Sequence, residues 1–317
     1  MSLSRILEKD DVREKLKSEF PKKRYPRNLD PISPPLTENY KNVGIAFDYL
    51  LRFYVKRLNP KAITSEWVAE KALNIIESNL DGINEYKNLS KNIGEEVFPL
   101  VGIDENQYNY LKKIYQKANV IIADAKYRYS RYIASGKIEN KLLKSVLLLS
   151  QLDIIMRTGS GYLLHNPYLG DIDRRRIRVK DVNDLRTLHS LLNPDLFRAK
   201  KIVILNPTFG SASDRVGGAD ADILIDDMLI EIKTTKKMQI TRKIYNQLIG
   251  YYTLYRIGGI DGLPKNRKLK KFGIYYSRFG ELVTMNIDEI IDKKRFQNYL
   301  EWFIKRTEGV SRIVNKI

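Results

Sequence analysis

The segment from Gly217 to Lys233 contains two short apolar runs separated by a pair of acidic residues, Asp226 and Asp227. In each run, every second residue is apolar over most of its length, which is the period of a β-strand. A short polar connection that tolerates a positive φ angle is typical of the turn between two antiparallel strands. The segment therefore predicts a β-hairpin that closes at residues 226–227.

A two-residue turn determines which residues face each other across the hairpin. Next to the turn, this register pairs Ile225 with Met228, Leu224 with Leu229, and Ile223 with Ile230. Continued along the strands, it places Asp222 opposite Glu231 and Asp220 opposite Lys233, with opposed Cβ atoms about 5 Å apart. Two carboxylates that close repel each other unless a cation lies between them. Lys233 supplies one positive charge, and a divalent metal bound by carboxylate oxygens would supply the rest.

This arrangement resembles the PD-(D/E)XK nuclease superfamily, in which an Asp on one strand and a Glu-x-Lys on the next bind Mg²⁺. Here Asp222 takes the place of the Asp, and Glu231-Ile232-Lys233 is the Glu-x-Lys. Gln247 and Tyr251 match the Gln-x-x-x-Tyr motif of the RecB-like branch, and their i, i+4 spacing places both side chains on one helix face. The competing interpretation is a solvated, charged hairpin followed by an amphipathic helix with core tyrosines.

The resemblance implies an α/β fold with a restriction-endonuclease-like core, that is, a mixed sheet flanked by helices, with a large helical insertion. It implies a Mg²⁺- or Mn²⁺-dependent nuclease that hydrolyses phosphodiester bonds, with DNA as the expected substrate. The implied metal ligands are Asp222, Glu231, the carbonyl of Ile232 and, as a further candidate, Asp220. In the implied reaction, Lys233 orients the attacking water, whereas Gln247 and Tyr251 position the nucleic-acid backbone near the cut.

Residues 43–58 have the apolar spacing of a helix and resemble the first core helix of RecB-like nucleases, whose pattern is Gly-x-x-x-His-x-x-Leu. Gly44 and Leu51 fit this pattern, and Asp48 holds the position of the histidine. A carboxylate is a usual protein ligand of Mg²⁺, so Asp48 is a further candidate metal ligand. It can equally be a surface residue of an ordinary amphipathic helix.

The chain has 317 residues, enough for one large domain or two. Residues 1–37 are charged and interrupted by prolines, which predicts an extended N-terminal arm with little core of its own, in which residues 4–18 can form a short helix. Residues 38–317 are expected to form the nuclease domain, built from 38–60 and 195–317. The stretch 61–194 keeps a helical pattern and is interpreted as a helical insertion into that domain.

The formal net charge of the chain is +18 at pH 7, and a field of that sign attracts polyanions. Nucleic acid is therefore the expected partner. Two basic stretches are candidate contacts for its phosphates, and their residues are Arg174, Arg175 and Arg176 in one and Lys268 and Lys270 in the other. The competing interpretation is that these runs are solvated and that the excess of lysine is a property of the whole proteome.

Residues 126–132 interleave Lys and Arg with three tyrosines. Aromatic rings can stack on unpaired bases while the cations hold phosphates. A helix whose tyrosines lie half in the core would have the same sequence pattern, and this second interpretation is favoured.

The chain has no cysteine, which excludes disulfides, thiolate zinc sites and iron–sulfur clusters. It has two histidines, too few for a metal cluster based on histidine. Neither a signal peptide nor an apolar run of membrane-spanning length is present, so no membrane partner and a cytoplasmic setting are expected.

The alternative function is a non-cleaving nucleic-acid-binding protein with a degenerate nuclease fold, which the missing histidine favours. A basic structural subunit is a third alternative, but it leaves the opposed carboxylates unexplained.

Overall fold

The computed structural model describes residues 2–22, 29–93, 104–158 and 177–314 and divides the chain into two compact units. The sheet unit consists of Met1–Pro34, Leu58–Ser65 and Leu191–Ile317, and the helical unit consists of Pro35–Arg57 and Glu66–Ser190. Most of the predicted core segment 38–60 thus lies in the helical unit, whereas the segment 195–317 lies in the sheet unit.

The helices are numbered here in chain order. The chain begins with α1 (Leu3–Leu7) and α2 (Asp10–Glu19) of the sheet unit. The helical unit contains α3 (Tyr40–Leu58, except its last residue), α4 (Val68–Ile93), α5 (Glu105–Ser135), α6 (Asn140–Thr158) and α7 (Val179–Ser190). The sheet unit continues with a 3₁₀ turn (Pro194–Leu196), α8 (Ser211–Arg215), α9 (Arg242–Gly258), α10 (Ile287–Ile290) and α11 (Lys293–Val314).

Within the described residues, the sheet unit has one mixed, open sheet of six strands in chain order. The strands are β1 (Ile63–Thr64), β2 (Val203–Leu205), β3 (Ile223–Ile225), β4 (Met228–Lys233), β5 (Lys271–Tyr276) and β6 (Glu281–Asn286). The pairs β1–β2 and β4–β5 are parallel, and the other neighbours are antiparallel. A parallel pair needs a crossover connection, and α9 provides it between β4 and β5. The predicted α/β class and the mixed sheet flanked by helices are confirmed.

The predicted hairpin register is confirmed next to the turn, where Ile225 pairs with Met228, Leu224 with Leu229 and Ile223 with Ile230. The predicted continuation of the strand to Asp220 is wrong, because β3 begins at Ile223. Asp220 instead forms an isolated antiparallel bridge with Thr208, so it does not pair with Lys233.

The first position of the hairpin turn is Asp226, whose backbone conformation and hydrogen bonds both favour an aspartate. Its φ angle is 55°, a left-handed conformation that Asp tolerates better than most residues. Its carboxylate accepts the backbone N–H groups of Lys200, Lys201 and Ile202 at 2.9, 2.7 and 3.1 Å. Burial alone would raise the pKa of Asp226, but these three donors lower it below its usual value. The turn is therefore tied to the segment that enters β2.

Residues 2–22 belong to the predicted N-terminal arm, and they form the two helices α1 and α2 where one short helix over residues 4–18 was expected. Their apolar side chains join the core of the sheet unit, namely Leu3, Ile6, Leu7, Val12, Leu16 and Phe20. The guanidinium group of Arg242 donates to the carbonyls of Leu16 and Phe20 at 2.5 and 2.8 Å, which satisfies carbonyls at the end of α2. Because Gly250 has no side chain, α1 approaches α9 closely, and a Cβ there would lie 3.0 Å from a methyl group of Leu7.

In the helical unit, α6 is apolar on most of its surface, and Leu143, Val146, Leu149 and Leu152 are fully buried. A helix that is apolar all round lies at the centre of its domain, and α6 packs against α4, α5 and α7. No helix in the described part of the chain is both long and apolar enough to cross a membrane.

Gly258 is the last residue of α9, where the loop after β2 passes close to the helix. A Cβ at this position would lie 2.2 Å from the backbone oxygen of Phe209 and 3.0 Å from the Cβ of Ala212. We expect Gly258→Ala to lower the free energy of unfolding by about 1–3 kcal/mol, because the loop backbone must shift. Gly82→Ala is the matched control, since a Cβ added there would have no atom within 4 Å. This substitution should raise the free energy of unfolding by up to about 1 kcal/mol. Urea unfolding measures both, and equal effects would contradict the close approach.

His189 in α7 has its Nε2 atom 3.0 Å from the hydroxyl of Tyr132. Burial lowers the pKa of His189 from 6.5 to about 4. Between these two pH values the unfolded chain therefore binds a proton that the folded chain does not. The free energy of unfolding should fall as the pH drops from 6.5 to 4, by about 3 kcal/mol for this group, and should change no further below pH 4 on its account. Urea unfolding across this pH range should show the fall in the free energy of unfolding for wild type but not for His189→Gln. Parallel pH profiles of the two proteins would contradict the prediction.

Candidate active site

Four side chains of the predicted site come from two elements of the sheet unit. Glu231 and Lys233 are two residues apart in β4, so both point to the same face of the sheet. Gln247 and Tyr251 are one turn apart on α9, which lies against that face. The hydroxyl of Thr241 accepts the N–H of Ile244 at 3.3 Å and caps the start of this helix.

The carboxylate of Glu231 is 5% exposed and is surrounded by hydrogen-bond donors. Its Oε1 atom accepts the ammonium of Lys233 at 2.6 Å and the amide of Gln247 at 2.9 Å. Its Oε2 atom accepts the hydroxyl of Tyr251 at 3.2 Å. A buried carboxylate is tolerated when it is both paired with a cation and hydrogen-bonded, and these contacts meet both conditions.

Gln247 holds this cluster together through both ends of its amide. The Nε2 group donates to Glu231 and, at 2.7 Å, to the hydroxyl of Tyr251. The Oε1 atom accepts the ammonium of Lys233 at 3.2 Å. A carboxylate could not replace it, because ionised Glu has no donor and would repel Glu231. The predicted pair on α9 therefore has a defined contact with the Glu-x-Lys segment.

Asp222 is brought to β4 through a contact that the hairpin register did not predict. Its Oδ2 atom accepts the backbone N–H of Ile232 at 2.6 Å. The N–H of Ile232 is then occupied by a side chain, which accounts for the end of the β3–β4 ladder at Ile223. The N–H and C=O groups of one strand residue point to the same side of the strand. The carbonyl of Ile232 is therefore directed towards the side on which Asp222 lies.

Asp220 is held by Asn206, a residue that the sequence did not identify. The Nδ2 group of Asn206 donates to Asp220 at 3.0 Å, and its backbone N–H donates to the carbonyl of Asp222 at 3.0 Å. Asn206 is 5% exposed and has a φ angle of 57°, a conformation in which Asn is enriched among non-glycine residues. The available signal was an Asn before Pro207 in the loop that leads into the hairpin.

The surroundings of Tyr251 raise the pKa of its hydroxyl group. Burial is the largest cause that raises the pKa of its hydroxyl well above 10, followed by the negative charges of Glu231, Asp222 and Asp220. The hydroxyl group therefore stays protonated and donates to Glu231. The ring of Phe209 stacks on Tyr251 at a centroid distance of 5.6 Å. Phe209 is a second neighbour of the site that the motif did not reveal.

The chemistry of these groups fits a hard divalent cation. Asp222, Glu231 and the carbonyl of Ile232 offer oxygen donors only, as Mg²⁺ prefers. The described residues contain no group of three or more His, Cys, Asp or Glu side chains placed to hold a metal ion. A Mg²⁺ site here would therefore use one or two carboxylates and complete its coordination with water and substrate oxygens, which is the usual way that proteins bind Mg²⁺.

Three further predicted site residues, Asp48, Lys268 and Lys270, come from other elements of the chain. Asp48 lies on α3 in the helical unit, where its Oδ2 atom pairs with Arg52 at 2.5 Å, and its role at a metal stays a prediction. Lys268 and Lys270 precede β5, next to the hairpin turn, where the N–H of Lys270 donates to the carbonyl of Asp227.

Met228 pairs with Lys271 and Lys233 with Tyr276, so the turn lies about 17 Å along β4 from Lys233. Lys268 and Lys270 therefore lie at the opposite end of the sheet from the cluster around Glu231. The predicted basic run of Arg174, Arg175 and Arg176 lies outside the described residues.

Comparisons of the chain with protein-family models, with curated proteins and with solved structures found no match. The function has to be inferred from the residues of this chain and their geometry.

The pairing of Glu231 with Lys233 can be tested through stability in metal-free buffer. Lys233→Met leaves a buried carboxylate without its cation and should lower the free energy of unfolding by on the order of 3 kcal/mol. The double variant Lys233→Met with Glu231→Gln removes both charges and should recover most of that loss. Urea unfolding of Lys233→Met, of Glu231→Gln and of the double variant gives the coupling energy between the two side chains. Additive losses would show that the two charges do not depend on each other.

Proposed function

We propose that this chain is a metal-dependent nuclease of the PD-(D/E)XK superfamily, RecB-like branch, which hydrolyses phosphodiester bonds of nucleic acid, with DNA as its substrate. The observation that carries the proposal is the buried carboxylate of Glu231, in contact with Lys233, Gln247 and Tyr251, together with Asp222 on the N–H of the following residue, Ile232. The mixed sheet flanked by helices is compatible with a restriction-endonuclease-like core.

In this proposal, Asp222, Glu231 and the carbonyl of Ile232 hold Mg²⁺ or Mn²⁺. When bound, such an ion polarises a phosphate oxygen and lowers the pKa of a coordinated water. The other contributions come from the chain itself. The N–H of Ile232 donates to the carboxylate of Asp222 at 2.6 Å and keeps it in place. The side chain of Asn206 holds the carboxylate of Asp220 at 3.0 Å.

Lys233 is the group proposed to act on the reacting atoms. Its side chain is 21% exposed, and its ammonium group contacts the buried carboxylate of Glu231 at 2.6 Å. From there it can orient the attacking water and stabilise negative charge that develops on the phosphate. Gln247 fixes the ammonium from the helix side at 3.2 Å, and a fixed donor needs little reorganisation during the reaction.

The alternative proposal is a nucleic-acid-binding protein that does not cut. One observation favours it, namely that Asp48 occupies the histidine position of the family pattern. The intact contacts between Glu231, Lys233 and Gln247 favour the nuclease.

Cleavage and binding depend on different interactions, and this separates the two proposals. Cleavage needs the one lysine beside the reacting water, so Lys233→Ala should abolish cleavage of linear, circular or branched DNA with either metal. Asp222→Asn should do the same, since it removes a ligand charge. Binding uses many spread cations, so fluorescence anisotropy should detect nearly unchanged affinity for both variants. Lys237→Ala, which changes an exposed lysine beyond the end of β4, is the control and should keep cleavage.

A readout without catalysis accompanies this experiment. Mg²⁺ or Mn²⁺ should raise the melting temperature of wild type and should raise that of Asp222→Asn much less, because a ligand stabilises only the fold that binds it. A well-folded wild type that binds nucleic acid, yet cuts no substrate with either metal, would reject the nuclease in favour of the alternative.

A further inference from the structure

The three tyrosines at positions 127, 129 and 132 of α5 have different environments. Tyr132 is 2% exposed, and Tyr129 packs against Phe53 at a centroid distance of 4.6 Å. Tyr127 is 52% exposed, because it lies on the opposite side of the helix from Tyr129. The sequence pattern allowed base stacking or core packing, and the structure assigns core packing to two of these rings only.

Two arginines flank the exposed ring of Tyr127. The guanidinium carbons of Arg128 and Arg131 lie 5.0 and 5.9 Å from its centroid, within the range of cation–π contacts. Arg131 also donates to the hydroxyl of Tyr127 at 3.3 Å. The ring is therefore held in place at the surface by neighbours on its own helix.

The outward side of α5 around Tyr127 is cationic or uncharged. We call it the Tyr127 face, and its exposed residues are Lys112, Lys113, Gln116, Asn119, Val120, Ala123, Lys126, Tyr127, Ser130 and Arg131. The one acidic residue of α5 within this stretch is Asp124, which is half-buried and bonds to Arg128 at 3.3 Å and to Ser145 at 2.8 Å. From Lys112 to Arg131 the face extends for about 28 Å along the helix.

Two cations of this face have acidic neighbours from other elements. Lys126 pairs with Glu70, and Arg131 pairs with Glu139 at 3.4 Å. The side chains of Lys126 and Arg131 are each 54% exposed, whereas Glu70 is 19% and Glu139 is 41% exposed. Exposed ion pairs contribute only about 0–1 kcal/mol, so Arg131 can exchange Glu139 for a phosphate at small expense in free energy.

We infer that the Tyr127 face binds single-stranded nucleic acid, with an unpaired base stacked on Tyr127 and neighbouring phosphates at Lys126 and Arg131. An exposed ring flanked by guanidinium groups offers a stacking surface, and in a duplex the faces of the bases are covered by their neighbours. The large apolar side chains exposed on this face are Val120 and Tyr127, too few for a protein interface with a hydrophobic core. The inference adds a strand form to the proposed function but does not depend on cleavage.

The test measures binding of a labelled single-stranded oligonucleotide by fluorescence anisotropy, in metal-free buffer so that nothing is cut. Tyr127→Ala should weaken binding about 5- to 150-fold, the range for loss of one base–aromatic stack. Tyr127→Phe should retain wild-type affinity, because the ring is kept. Circular dichroism of each variant checks that α5 and its neighbours are still folded.

Two controls separate stacking from a general loss of affinity. Tyr40→Ala removes another exposed tyrosine of the helical unit, 42% exposed, and should bind like wild type. Binding of a blunt duplex should be the same for wild type and Tyr127→Ala. Arg131→Ala should reduce the slope of log affinity against log salt by about 0.7, as expected for one phosphate contact on a single strand.

The possible outcomes distinguish this inference from the proposed nuclease. If Tyr127→Ala binds the single strand like wild type, or loses duplex affinity to the same extent, the inference is rejected. It is also rejected if wild type binds no single strand. A wild type whose single-strand binding depends on Tyr127, but which cuts nothing, supports the inference and rejects the nuclease.

Discussion

The sheet unit depends on how one buried negative charge is compensated. The carboxylate of Glu231 is stable at 5% exposure because Lys233, Gln247 and Tyr251 donate to it. Lys233 comes from the same strand, but the other two donors come from α9, so the helix must lie across β4 in one orientation. The crossover between β4 and β5, the cap at Thr241 and the close approach of α1 at Gly250 all serve that placement.

Two short polar residues at left-handed backbone positions hold the segments on either side of β3, namely Asn206 after β2 and Asp226 in the hairpin turn. Asp226 at the turn binds the segment that enters β2, and Asn206 after β2 binds the segment that enters β3. Each residue has a φ angle near 55° and offsets its less favoured conformation with hydrogen bonds to another part of the chain. Asn206 holds Asp220 and the carbonyl of Asp222, and the N–H of Ile232 binds the carboxylate of Asp222 at the end of β4 where Glu231 and Lys233 lie.

The two units carry different kinds of chemistry. The sheet unit concentrates carboxylates, one lysine and an amide within hydrogen-bonding distance, which suits a reaction at a single point. The helical unit presents an exposed tyrosine among cations along α5, which suits contacts spread over several nucleotides. The proposed function and the further inference therefore concern different units, and substitutions in each unit test them separately.

The sequence alone predicts the helix at 43–58, the hairpin turn and its register from Ile223 to Ile230, because these follow from local periodicity and turn chemistry. The tertiary structure decided where β3 begins, since that depends on Asp222 binding Ile232 and on Asn206 binding Asp220. It also decided that residues 2–22 join the core and that Tyr127, unlike Tyr129, faces solvent. These features depend on contacts between residues far apart in the chain, and periodicity within a short window does not contain that information.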